Sequence, residues 1–187
     1  MRIDSKTTLL ALALAALSPV YGTLVPRLSF EELVGQCAVV VHGRVSSVRV
    51  AWDAERENIW TYYEIVLDEA LKGSPGRTVE IQEPGGELDG MRMEIVGTPR
   101  YELGEEVVVF ASPTPAGLRT CGWGQGRFVV AGEPGQRRVC NDLGDVQLTA
   151  PSKTGRQRTA AAPEEALAVF KQRIREEVQR QAAPVGR

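Results

Sequence analysis

Between residues 59 and 68 the chain alternates with a period of two. Ile59, Thr61, Tyr63, Ile65 and Leu67 fall on one face, and Trp60, Tyr62, Glu64, Val66 and Asp68 on the other. Successive side chains of a strand point to opposite sides, so this run predicts a half-buried β-strand. Such a strand needs a partner for its backbone and a layer to cover its apolar face. The preceding segment supplies the partner. Val39, Val41, Gly43 and Val45 share a face, but after Ser46 and Ser47 the apolar phase moves to Val48, Val50 and Trp52. A change of parity inside one strand predicts a β-bulge, a device small barrels use to bend a strand between two sides. The polar run Asp53 to Asn58 then reads as a hairpin loop.

Further strands follow. Gly73-Ser74-Pro75-Gly76 is a turn, and Thr78 to Gln82 is a third strand. Pro84-Gly85-Gly86 opens a loop running to about Pro99, in which Met91, Met93, Ile95 and Val96 are apolar enough to fold over something. Gly104 to Phe110 reads as a fourth strand whose continuous apolar half predicts burial on both faces. Two short strands flank Gly132-Glu133-Pro134-Gly135. Helices are few. Ser29-Phe30-Glu31-Glu32 is a capping box that opens a short helix over residues 30–34, with Gly35 as its stop. Near the other end, Leu167, Phe170, Ile174 and Val178 recur at helical spacing after Pro163. The pattern is mainly β: a small five- to six-stranded OB-like barrel with a short N-terminal helix and an amphipathic C-terminal helix laid against it. A β-sandwich fits the same pattern. The expected organisation is a signal peptide over 1–22, a β-barrel domain over 23–150, a linker over 151–163 and a helix over 164–182.

The signal peptide rests on Arg2 and Lys6, the apolar run Leu9 to Leu17, the break at Ser18-Pro19 and the small residues before Thr23. The run is about half of the roughly 20 residues a membrane span needs, so cleavage is expected over anchoring. A secreted or periplasmic location follows, with no stable membrane insertion after cleavage. A chain of 187 residues suits one domain. The formal net charge of −2 argues against nucleic acid as a partner, because phosphate binding calls for a basic surface. In an oxidising compartment two of Cys37, Cys121 and Cys140 can pair. Cys121 and Cys140 flank one expected hairpin and are the favoured pair, with pairs to Cys37 left open. Otherwise Cys37 reads as a small buried residue. It lies well past the apolar run, which argues against a lipoprotein cysteine.

The chemistry-bearing residues are sparse. The chain has a single histidine, His42. A two-histidine zinc site is therefore excluded, and no C-x-x-C spacing points to structural zinc. No G-x-S-x-G elbow accompanies His42, which reads as a strand residue satisfied by a neighbour. Gly122-Trp123-Gly124-Gln125-Gly126 lacks the lysine and helix of a phosphate loop and reads as a glycine-rich bend. Glu83, Glu87 and Asp89 cluster around the Pro84–Gly90 loop and could act as paired carboxylates on a sugar. The aromatics are the better lead. Trp52, Trp60 and Tyr62 lie near one hairpin, and with Ile59, Tyr63 and Ile65 inward, Trp60 and Tyr62 point outward, where they can anchor a protein or stack on a glycan. The competing reading has the C-terminal helix covering them through Phe170 and Ile174. The candidate binding residues are Trp52, Trp60, Tyr62, Glu83, Gly85 and Gly86. No catalytic set, metal or cofactor is expected.

Several segments carry a resemblance. The run Leu28-Ser29-Phe30-Glu31-Glu32-Leu33, the strand Val41-His42-Gly43-Arg44-Val45, then Leu71-Lys72-Gly73, Pro84-Gly85-Gly86 and Gly104 to Phe110 resemble a group of secreted bacterial proteins of unassigned function. The order of elements is also distantly similar to the netrin-like domain of tissue metalloprotease inhibitors, a five-stranded OB-type barrel. The resemblance spans roughly residues 28–130. Those inhibitors chelate the protease zinc through a cysteine at the mature N-terminus. Here that position is Thr23 and Cys37 lies far inside, so the chelating mechanism does not carry over. The expectation is a secreted, non-enzymatic binding domain for an extracellular or envelope protein, a protease being one such partner. The alternatives are a carbohydrate- or cell-wall-binding module and, behind it, a carboxylate hydrolase.

Overall fold

The computed structural model describes residues 24–141, 147–149 and 164–183. The expected signal peptide and linker lie outside the described residues. The fold is β-rich, and its spine is the alternating hairpin. Strand β2 (Val39–Trp52) runs antiparallel to β3 (Ile59–Lys72), and Asp53 closes their loop by accepting from the backbone of Glu57 and Asn58. The pairing slips between Val45 and Ser47, where the parity change predicts a bulge, and again at Val40/Val41 and His42/Gly43. Two shorter strands precede and follow: β1 (Leu24–Pro26) pairs in parallel with β11 (Gln147–Thr149).

The hairpin is continued by β4 (Thr78–Pro84), antiparallel to β3. On the other side β7 (Glu106–Thr114) runs antiparallel to the first half of β2. Strand β8 (Gly117–Thr120) pairs antiparallel with β7 and meets β4 in parallel at Ile81 and Leu118. The order β2-β3-β4-β8-β7 thus returns to β2 as a partly closed ring. A branch leaves the ring at β7, through β9 (Arg127–Ala131), β10 (Arg138–Cys140) and β12 (Glu165–Ala166). Inside the expected Pro84–Pro99 loop, β5 (Gly86–Leu88) and β6 (Met91–Met93) form a small hairpin.

Two cores share the central strands. Val41, Ile65, Ile81, Val107 and Val109 fill the ring. Val40, Val108 and Phe110, on the opposite face, pack with two helices. Strand β7 is therefore buried on both faces, as its apolar run predicts. Helix α1 (Phe30–Gln36) begins at the expected capping box: Glu32 N donates to Ser29 Oγ and Ser29 N to Glu32 Oε2. It runs past Gly35, which here gives close approach rather than a stop, since a Cβ there would lie 3.2 Å from the Gln181 side chain. Helix α2 (Leu167–Ala182) buries Leu167, Phe170 and Ile174. Phe170 lies 4.7 Å from Phe128 and 5.9 Å from Phe30, centroid to centroid. Lys171 and Arg175 pin the helix to Glu69 of β3.

The cysteines depart from expectation. Cys37 and Cys121 stand at disulfide distance, with Cα atoms 6.2 Å apart, and Cys140 takes no part in that bond. The hairpin argument for Cys121–Cys140 fails because Cys140 sits on β10 across from Val129. Cys37, at the end of α1, is instead brought over β7. There Ser112 Oγ accepts from Ala38 N and lies 3.4 Å from Cys121 Sγ. Cys37 is 1% exposed, the buried position its bland reading gave it.

Candidate functional site

Cross-strand register sorts the aromatic candidates, because directly opposed residues share a face. Trp60 lies opposite Ala51 and Pro84, and Tyr62 opposite Arg49 and Gln82. These four neighbours are on the outer face of β3 and its flanking strands. Trp60 and Tyr62 are half-buried, and two guanidinium groups cover them. Arg49 sits 3.9 Å from the centroid of the Tyr62 ring, and Arg119 is 5.8 Å from that of Trp60, both within cation–π range. Val66, further along the same face, is 46% exposed.

Helix α2 does not cover these rings. Phe170 and Ile174 belong to the core against Phe110 and Phe128, on the side of the sheet where β7 and β9 lie. Trp52 is separated from the other aromatics. It pairs with Ile59 and so shares the ring-side face, where its indole Nε1 donates to Asp89 at 2.9 Å. Asp89 is also 3.6 Å from Arg56. The three candidate aromatics therefore form two sites rather than one.

Glu83, Gly85 and Gly86 form a second grouping on the ring side, with Trp52 at its margin. The segment from Pro84 to Pro99 folds back as a flap over the ring-side face of the hairpin. Gly85 N donates to Ile59 O at 2.7 Å, Thr61 Oγ1 to Gly85 O at 2.7 Å, and Ile59 N to Met93 Sδ at 3.4 Å. Gly86 has φ +144°, and a Cβ on it would come within 2.8 Å of Thr61 Oγ1 and 2.9 Å of Val50. Only glycine lets the flap lie this close. Beneath it is a cavity of about 160 Å³ lined by Thr61, Tyr63, Glu83, Met93, Ile95 and Thr98, among others.

Glu83 is 1% exposed. Its Oε1 accepts from Thr120 N at 2.8 Å, and its Oε2 from Arg119 at 3.3 Å. Burial pushes its carboxyl above the usual range, against the pull of these donors. Tyr101 OH and Thr120 Oγ1 are 2.6 Å apart, and burial holds the Tyr101 phenol far above its ordinary value. Thr98 Oγ1 is buried without a hydrogen-bond partner among the described residues.

A third polar cluster lies on the helix side. His42, 3% exposed, places Nε2 2.8 Å from Glu106 Oε1 and 3.8 Å from Asp68 Oδ2. The neighbour expected to satisfy His42 is thus Glu106. These three residues bring possible ligand atoms within 4.8 Å of one another. Both oxygens of Glu106 are already engaged, Oε2 by Arg44 and Oε1 by Arg137, each at 2.9 Å. Both guanidinium groups pair with Glu106, so its carboxylate is the centre of an ion-pair network joining β2, β7 and the approach to β10, with Asp68 of β3 at its exposed edge.

Arg49 was missed at the level of sequence, although its alternation with Val48 and Val50 is the signal that places it on the face of the aromatics. Arg119 and Thr120 carry no such signal, because the four residues of β8 are too few to show a period. Thr98 sits in an irregular segment with no sequence signal. The Gly122–Gly126 bend is a 3₁₀ turn over Trp123–Gly126. No protein-family model matches the sequence, and no curated protein matches it.

Proposed function

We propose that this chain is a non-enzymatic binding module acting outside the cytoplasm, in which an OB-type barrel presents the outer face of β3 and β4 to an extracellular or envelope protein, a protease among the candidates. The barrel reading is supported by the ring order. Counting only ring strands, the first pairs with the second, the second with the third, the third in parallel with the fifth, and the fifth with the fourth, which returns to the first. In OB-folds the face of the second and third strands carries the ligand. Here that face holds Trp60 and Tyr62. Export is supported by the N-terminal charge and hydropathy pattern and by Cys37 and Cys121 at bonding distance.

The observation that carries the reading is the pairing of half-buried aromatics with arginines: Tyr62 under Arg49 and Trp60 beside Arg119. Tryptophan, tyrosine and arginine are the residues in which protein interfaces concentrate their binding energy. A glycan would need an open ring face for stacking, and Arg49 occupies that of Tyr62. The carboxylate-hydrolase reading has less support, since Glu83 is buried and Asp89 is engaged by Trp52 and Arg56.

The test is capture on immobilised residues 23–187 from the secreted and envelope fraction of the source organism, in parallel with a Trp60→Ala/Tyr62→Ala double variant of unchanged melting temperature. One stoichiometric protein should be retained by the parent and released by the variant, with an affinity loss of at least about 2 kcal/mol. A retained protease would then be assayed for inhibition. Retention of polysaccharide alone, competed by soluble sugar, would replace the protein reading with the glycan one. Equal capture by parent and variant would remove this face from consideration.

A further inference from the structure

The cavity beneath the Pro84–Pro99 flap holds chemistry that the outer face does not use. At about 160 Å³ it has room for several waters or for one unbranched side chain. We infer that it is a binding site for a primary ammonium group on a short apolar stem, with Glu83 as the counter-ion.

The walls divide into two parts. Met93, Ile95, Pro84 and Pro99 are apolar and suit a run of methylenes. The polar lining is rich in acceptors. Thr61 Oγ1 spends its hydrogen on Gly85 O, so what it offers a further partner is lone pairs. Thr98 Oγ1 is buried with no partner among the described residues, an exception to the rule that buried polar groups are bonded. Glu83 receives Thr120 N on one oxygen and Arg119 on the other, with the Thr120 side chain as a further donor, while a carboxylate can accept about four.

The charges favour a cation. Glu83 is the acidic group of the lining, and its link to Arg119 is long at 3.3 Å. Arg100, the basic residue of the lining, pairs with Glu94 at 3.0 Å instead. A carboxylate this deep lacks solvent, and a second charge-assisted donor would compensate it. An ammonium is compact and carries three donors, which Glu83, Thr61 and Thr98 can accept. A guanidinium spreads its donors over a wider planar fork.

The methionines make the test direct. Of the three in the chain, Met93 lines the cavity and Met91 is 55% exposed at the tip of the flap. With ¹³C-methyl methionine in the full mature chain, n-butylammonium should move the Met93 methyl resonance saturably and leave that of Met91 in place. The neutral isostere n-butanol should bind at least about tenfold more weakly, and Glu83→Gln should weaken the ammonium by a similar factor. Thr98→Val should weaken it less. Thermal melts establish that both variants are folded. Trp60→Ala/Tyr62→Ala should bind butylammonium as the parent does, which separates this site from the outer face.

Nα-acetyl-lysine N-methylamide distinguishes the sources. Comparable affinity assigns the site to a lysine presented by a protein; binding of butylammonium alone assigns it to a free amine. No saturable Met93 shift would mean that the cavity holds water only, and equal binding of butanol or undiminished binding to Glu83→Gln would mean that Glu83 is not a counter-ion there; each would overturn the inference.

Discussion

Glu83 is the residue where burial and charge conflict most. It lies inside the ring, and desolvation raises its pKa despite the donors Thr120 and Arg119. A carboxyl with a raised folded pKa holds its proton more tightly in the native state. Its contribution to stability therefore falls as pH rises from the ordinary carboxylate value through the folded one, and stays low above it. Glu83→Gln keeps an acceptor for Thr120 N and removes the ionisation. It should raise stability at neutral pH, and the gain should shrink in acid. Thermal melts from mildly acidic to neutral pH check this; a pH-independent difference would show that Glu83 titrates normally. At this scale the outward Trp60 and Tyr62 were legible, because alternation alone assigns the face of a strand residue. The isolation of Trp52 was not. It follows from its register with Ile59 and from the flap that brings Asp89 to its indole.

Among the elements, α2 shows how far a local pattern reaches. Its apolar spacing marks a helix and one buried stripe, and Leu167, Phe170 and Ile174 are buried. The pattern carries no address for that stripe. The helix docks on the side of β7, β9 and α1, away from Trp60, and its aromatic contacts run through Phe170. Phe170→Ala should cost about 3–5 kcal/mol, the range for emptying a buried aromatic site. Urea melts followed by far-ultraviolet circular dichroism measure it. A loss below about 1 kcal/mol would mean the helix contributes little to the second core. The capping box of α1 was readable because both of its bonds are local. Strand β8 was not, although it closes the ring, because its four residues pair with β7 and β4 rather than with each other.

For the whole molecule, the bond between Cys37 and Cys121 spans 84 residues of chain and ties α1 to the end of β8. It thereby joins the helix-side core to the closing strand of the ring. Cross-links over loops of this size stabilise chiefly by restricting the unfolded chain. Cys37→Ser should cost about 2–5 kcal/mol, and reducing agent should destabilise the parent by a comparable amount while leaving Cys37→Ser unchanged. Cys140→Ser should retain the reductant-sensitive transition. Denaturant melts with and without reductant distinguish the three. A transition in Cys140→Ser that no longer responds to reductant would restore the Cys121–Cys140 pairing.

Periodicity and local chemistry determined the β-rich character, the long hairpin and its bulge, the doubly buried β7, both helices and the capping box. These depend on alternation, on spacing and on bonds between residues three apart, all of which are written along the chain. The tertiary structure decided which cysteines meet, which face α2 covers, that β8 closes the ring, and that the flap lies over a cavity lined by Glu83 and Thr98. Each of those depends on residues far apart in sequence arriving side by side, and a one-dimensional pattern holds no information about that arrival until the strands have paired.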